Sequence, residues 1–141
     1  MVISKIVMEK IISLPNDIYE KMIAEGENNL PDEACGLLAG YHHQVRSFWP
    51  LQNQLKSSTR FFVPKEMVTT AVKSIQNRKE QVLAIFHTHP STKPVPSQFD
   101  LIHHPNEEVD MVIISYKYQI PQIKWYQIKN KTYKACTINI N

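Results

Sequence analysis

The sequence predicts an α/β fold, a single-domain mixed β-sheet flanked by helices. Three observations carry that expectation. At 141 residues the chain has the length of one domain, so residues 1–141 are read as one unit. Two short apolar runs without polar alternation, Ala34 to Gly40 and Val82 to Phe86, have the pattern of strands buried on both faces. Ile18, Met22 and Ile23, and later Met67, Val68, Ala71, Val72 and Ile75, recur instead at helical spacing.

The elements follow in order. Ile3 to Ile12 is β-branched and apolar, a first strand. Pro15 suits the first turn of a helix reaching about Asn28, because its missing N–H costs nothing there. Gly26 to Pro31 is expected to break that helix and deliver the chain to Glu33, at the head of the strand from Ala34. Tyr41-His42-His43-Gln44 reads as a turn with exposed histidines. Gln44 to Leu51 and Thr59 to Val63 read as two further strands, joined by a polar loop of the kind that binds partner chains. Pro64 opens a packing helix through about Arg78. Val82 to Phe86 is the central strand, Ser97 to His104 a short helix stopped by Pro105, and Val109–Ser115, Pro121–Ile128 and Tyr133–Ile140 complete the sheet.

Composition excludes several classes of function. The formal charge is +3, but the lysines are scattered, so neither a nucleic-acid arm nor a polybasic membrane patch is implied. Lys5, Glu9 and Lys10 interrupt the apolar N-terminus, and no stretch approaches the length of a membrane span; the expectation is a soluble, cytoplasmic protein. Cys35 and Cys136 fit no zinc spacing and read as reduced, buried thiols of a reducing compartment. With three glycines there is no dinucleotide fingerprint and no P-loop, and no Gly-x-Ser-x-Gly marks a nucleophilic serine.

The chemistry concentrates where the central strand ends, at Ile85-Phe86-His87-Thr88-His89-Pro90. Residues i and i+2 of extended chain point to one side, so His87 and His89 can reach the same ion. Zinc takes imidazole nitrogen at about 2.0–2.1 Å and, in catalytic sites, three protein ligands with a fourth position left for water. Asp100 is the obvious third ligand, across a loop that Pro90, Pro94 and Pro96 stiffen. Ser97-x-x-Asp100 also matches a helix capping box, and one carboxylate is not expected both to ligate fully and to cap; ligation is the reading preferred. His103 and His104 share a helical face with Asp100, and either could approach the metal or hold the Asp100 carboxylate.

His87-Thr88-His89, seven residues, Ser97, two residues and Asp100, with Glu33 upstream in Pro31-Asp32-Glu33-Ala34-Cys35-Gly36, resembles the signature of the JAMM (MPN-plus) metalloproteases, and of their small stand-alone prokaryotic members. The resemblance spans roughly residues 6 to 128. It implies a cytidine-deaminase-like architecture, Zn2+ held by His87, His89 and Asp100, Glu33 as general base, and Ser97 as hydrogen-bond donor to the oxyanion. It further implies cleavage of a peptide or isopeptide bond after the Gly-Gly tail of a ubiquitin-like protein, the tail bound extended along a sheet edge. The oligomeric state is left open. A non-catalytic MPN-type scaffold is the alternative, although such relatives have usually lost ligands that are all present here, and a metallohydrolase of some non-protein amide is a third reading. A zinc deaminase would need His-x-Glu and Pro-Cys-x-x-Cys, and neither occurs.

Overall fold

The structure, a computed structural model, describes residues 10–141. The chain runs β1 (Ile11–Leu14), α1 (Asn16–Asn29), β2 (Cys35–Tyr41), β3 (Gln44–Leu51), α2 (Lys65–Asn77), β4 (Gln81–His89), α3 (Gln98–His103), β5 (Asp110–Ser115), β6 (Gln122–Lys129) and β7 (Thr132–Ile140). Most of the first strand expected from Ile3, as far as Glu9, lies outside the described residues. The sheet is mixed, in the order β1-β3-β2-β4-β5-β6-β7. It closes into a barrel because β1 lies parallel to both β7 and β3.

The strand alternation sorts side chains into two cores. Leu38, Ala84, Phe86, Val112 and Ile114 face one side, where Ile18 and Met22 of α1 pack with Trp125. Leu37, Ala39 and Ile85 face the other side, against Ala71 and Ile75 of α2. Successive residues of a strand point to opposite faces, so the uninterrupted apolar run of β4 is what a strand covered on both sides requires. β4 is antiparallel to β2, with Cys35 opposite His87, and parallel to β5, with His89 opposite Ser115. His42 and His43 form the β2–β3 turn at φ of 53° and 61°, both exposed, the left-handed pair that tight hairpins demand.

Two expectations need correction, at Met67 and at Thr59 to Val63. α1 ends at Asn29, within the Gly26 to Pro31 segment expected to break it, and Gly26 itself is buried in the last turn, where the Tyr116 ring occupies the space a side chain would fill. A Cβ there would meet Tyr116 at 2.1–2.7 Å, and that ring is pinned by its hydroxyl donating to the Ile23 carbonyl at 2.7 Å. Gly26→Ala should therefore destabilise the protein by about 1–3 kcal/mol despite the better helix propensity of alanine, as a thermal melt would register. Met67 is exposed rather than part of the inner face of α2. Thr59 to Val63 is not a strand: the Asn53 side chain takes the Phe62 N–H and the Arg60 carbonyl, so those groups close a loop instead of joining a ladder.

Candidate metal centre

β4 carries both histidines at its C-terminal end, where sheets of this class bind ligands. His87 and His89 follow Ile85 on one face of the strand, and Asp100, in the first turn of α3, is brought to them by the intervening loop. His87 Nε2 and His89 Nε2 are 3.2 Å apart, and each lies 3.1 Å from Asp100 Oδ2. All three residues are buried. No other group of three such residues could hold a metal ion among the described residues.

The loop between them is held by its carbonyls. Three in succession accept side-chain donors: Thr92 from the Ser115 hydroxyl, Lys93 from His89 Nδ1 at 2.8 Å, and Pro94 from the Tyr126 hydroxyl. A carbonyl only accepts, so His89 Nδ1 carries a proton and its Nε2 faces the cluster. Burial pushes the His87 pKa down, keeping that ring neutral at pH 7. Burial alone would raise the Asp100 pKa; hydrogen bonds with His87 and His89, and the Ser97 N–H, outweigh it and hold the carboxyl well below the usual range. A neutral His87 and an ionised Asp100 are the protonation states that metal ligation needs of those two residues.

The fit of a cation follows from the same atoms. Their triangle, with sides of 3.1–3.2 Å, has its centre about 1.8 Å from each corner. Zinc bonds of about 2.0–2.2 Å therefore reach all three atoms from just off that plane. The buried side-chain polar atoms without a partner among the described residues are Glu33 Oε1, His87 Nδ1 and Asp100 Oδ1, and all belong to this site.

Asp100 caps and faces the cluster with the same oxygen. Its Oδ2 accepts the Ser97 N–H at 2.9 Å while Ser97 Oγ accepts the Asp100 N–H at 3.0 Å, completing a capping box. The expected conflict between the two roles does not arise, because a carboxylate oxygen has more than one lone pair. The Ser97 hydroxyl is left with its own proton to donate, and the residue is exposed. His103 donates from Nδ1 to the Phe99 carbonyl and His104 from Nε2 to the Val109 carbonyl, so neither supports Asp100.

Glu33 reaches the site through β2. One step beyond that strand the ladder continues, with Thr88 N–H donating to the Ala34 carbonyl at 3.0 Å and the Thr88 hydroxyl accepting the Ala34 N–H at 2.8 Å. Glu33 is thereby set beside the histidine end of β4, only 2% exposed. Burial first, and the Asp100 charge second, push its pKa up to about 9. No motif marks the residues that fasten it, Asn53 and Ser57, nor Phe61, whose ring stacks on His87 at 5.0 Å. Asparagine, serine and phenylalanine in a polar loop carry no spacing that marks them. A cavity of about 480 Å³ opens from His87 and Asp100 between α2 and α3, with Leu37, Ile85, Phe61 and Met111 among its walls.

Comparison with known proteins bears on this arrangement. The CysO-cysteine peptidase of Mycobacterium tuberculosis is 25% identical over 107 residues, covering 74% of this chain and 73% of the peptidase. A desampylase of Pyrococcus furiosus is 29% identical over 83 residues, 59% of each chain. A protein from Desulfitobacterium hafniense, solved in solution, is 31% identical with a TM-score of 0.83 and 92% coverage of both chains. The family model of prokaryotic homologs of the JAB domain matches residues 15–128, which include Glu33, His87, His89, Ser97 and Asp100, and the chain belongs to that family.

Proposed function

We propose that this protein is a zinc-dependent hydrolase that cleaves a peptide or isopeptide bond after the C-terminal Gly-Gly tail of a ubiquitin-like protein. The observation that carries the proposal is the convergence of three buried side-chain atoms of metal-ligating type at 3.1–3.2 Å. His87, His89 and Asp100 would hold the zinc. When bound, zinc supplies Lewis acidity, lowering the pKa of a coordinated water from 15.7 to about 7.

The remaining chemistry belongs to the chain. Glu33 takes the proton from the attacking water and returns it to the nitrogen of the leaving amine as the C–N bond breaks, acting first as base and then as acid. Burial, which raises its pKa, favours Glu33 holding that proton between the two halves of the cycle. Ser97, whose oxygen is already engaged by the Asp100 N–H, donates its own proton to the oxyanion of the substrate carbonyl, a contribution of roughly 2.7–4 kcal/mol in comparable sites. The apolar cavity beside His87 suits an extended substrate tail, and β3 from Arg46 to Leu51 is laddered on its β2 side alone among the described residues, which supports strand addition nearby.

The names of the two relatives, a peptidase and a desampylase, support a ubiquitin-like substrate. The complete ligand set weighs against a non-catalytic scaffold. Cys35 and Cys136 are both free thiols, in keeping with a cytoplasmic setting. The test is hydrolysis of a fusion joined through a Gly-Gly tail: release of the cargo is expected with zinc, and its loss with a chelator. Cleavage unaffected by the chelator would rule the proposal out, as would none of the fusion being cut by the zinc-loaded protein.

A further inference from the structure

Glu33 is fixed by its backbone rather than by its side chain. Its N–H donates to the Ser57 carbonyl at 2.7 Å and its carbonyl accepts Asn53 Nδ2 at 3.0 Å, so both polar groups of its main chain go to the loop after β3. Asn53 is buried and its amide is fully used. Nδ2 donates to the Glu33 and Arg60 carbonyls, while Oδ1 accepts the N–H groups of Leu55 at 3.0 Å and Phe62 at 3.1 Å. An asparagine amide offers two donors and two lone pairs, and all four are engaged here. The loop could close on itself through the other three bonds, so the bond to Glu33 is the one it does not need for its own shape. On the far side of the same segment, Thr88 grips Ala34 from between the two histidines.

From this we infer that Asn53 is a positioning residue for Glu33, tying the place of the base to the loop that also lays Phe61 on His87. The inference rests on the reading of Glu33 as the base. Asn53 touches neither substrate nor metal ligand; it acts by setting where the Glu33 main chain lies. A displacement of about 1 Å from the reacting geometry costs on the order of a hundredfold in rate.

The experiment compares the zinc-loaded wild type, Asn53→Ala, Asn53→Asp, Glu33→Gln and the double variants on the Gly-Gly-linked fusion. Asn53→Asp keeps the Oδ1 acceptor for Leu55 and Phe62 while it loses the donors to the Glu33 and Arg60 carbonyls; Asn53→Ala, being uncharged, controls for the added charge. Each should lower kcat by about 10- to 100-fold, with KM within about twofold and zinc content unchanged. Added to Glu33→Gln, each should change the residual rate by less than about twofold, since the base it positions is already gone. In metal-free Asn53→Ala the Glu33 amide should exchange with deuterium at least about tenfold faster, while amides of Leu38 and Phe86 in the core keep their protection. Equal losses with and without the Glu33 carboxylate, a loss confined to KM, or uniform acceleration of exchange would each overturn the inference. A fully active Glu33→Gln would instead strike at the assigned base, a separate failure.

Discussion

Glu33→Gln is expected to lower kcat by about 10²- to 10⁴-fold while the protein still binds one zinc per chain. The side chain is not among the atoms that converge on the metal position, so its loss leaves the triangle of His87, His89 and Asp100 intact. The same substitution should stabilise the metal-free protein at neutral pH. A carboxyl with pKa 4.5 unfolded and about 9 folded binds its proton more tightly in the folded state, so its contribution to stability is fully present below pH 4.5 and is lost as pH rises toward 9. The slope is about 1.4 kcal/mol per pH unit, or on the order of 3–4 kcal/mol by pH 7. Glutamine keeps the shape and cannot ionise. Melts of metal-free wild type and variant should thus coincide near pH 4 and diverge above about pH 5, with the variant higher; a variant melting lower at pH 8 would contradict the burial argument.

Asp100→Asn is expected to abolish zinc binding at micromolar metal without unfolding α3. The amide oxygen can still accept the Ser97 N–H, and Ser97 Oγ still accepts the backbone N–H of residue 100, so the cap survives while the charge disappears. Outer hydrogen-bond partners of metal sites are commonly worth 10- to 100-fold in affinity, and loss of a charged ligand should exceed that, by more than about a hundredfold. Asp100→Ala should lose the same affinity and in addition about 1 kcal/mol of stability through the cap. Zinc titration against a competing chelator, beside a melt of each apoprotein, separates the two roles. Equal stability of the two variants would mean the capping box contributes nothing.

Much of this was legible before any coordinates, and the reasons are local. β3 was read to the residue, Gln44 to Leu51, because turn residues bound it on one side and a polar loop on the other. The helices after Pro15 and Pro64 were legible because proline marks their starts and the apolar residues recur at helical spacing. The cluster at His87, His89 and Asp100 was legible because extended chain brings i and i+2 together and the ligand set is sequence-compact. What escaped was set by long-range contact. Gly26 must lack a side chain because Tyr116, far along the chain, occupies that space. The segment 59–63 looks β-branched and apolar enough for a strand, yet one buried asparagine claims its backbone groups. Barrel closure depends on β1 meeting β7, a pairing of chain ends that no local pattern announces.

The central claim is that a single cation belongs among three side chains at the end of β4. Anomalous diffraction at the zinc edge, from crystals of protein loaded with one equivalent of zinc, tests it most directly. One peak per chain is expected, about 2.0–2.2 Å from His87 Nε2, His89 Nε2 and Asp100 Oδ2. A peak bound elsewhere, or none at that position in zinc-replete crystals, would contradict it.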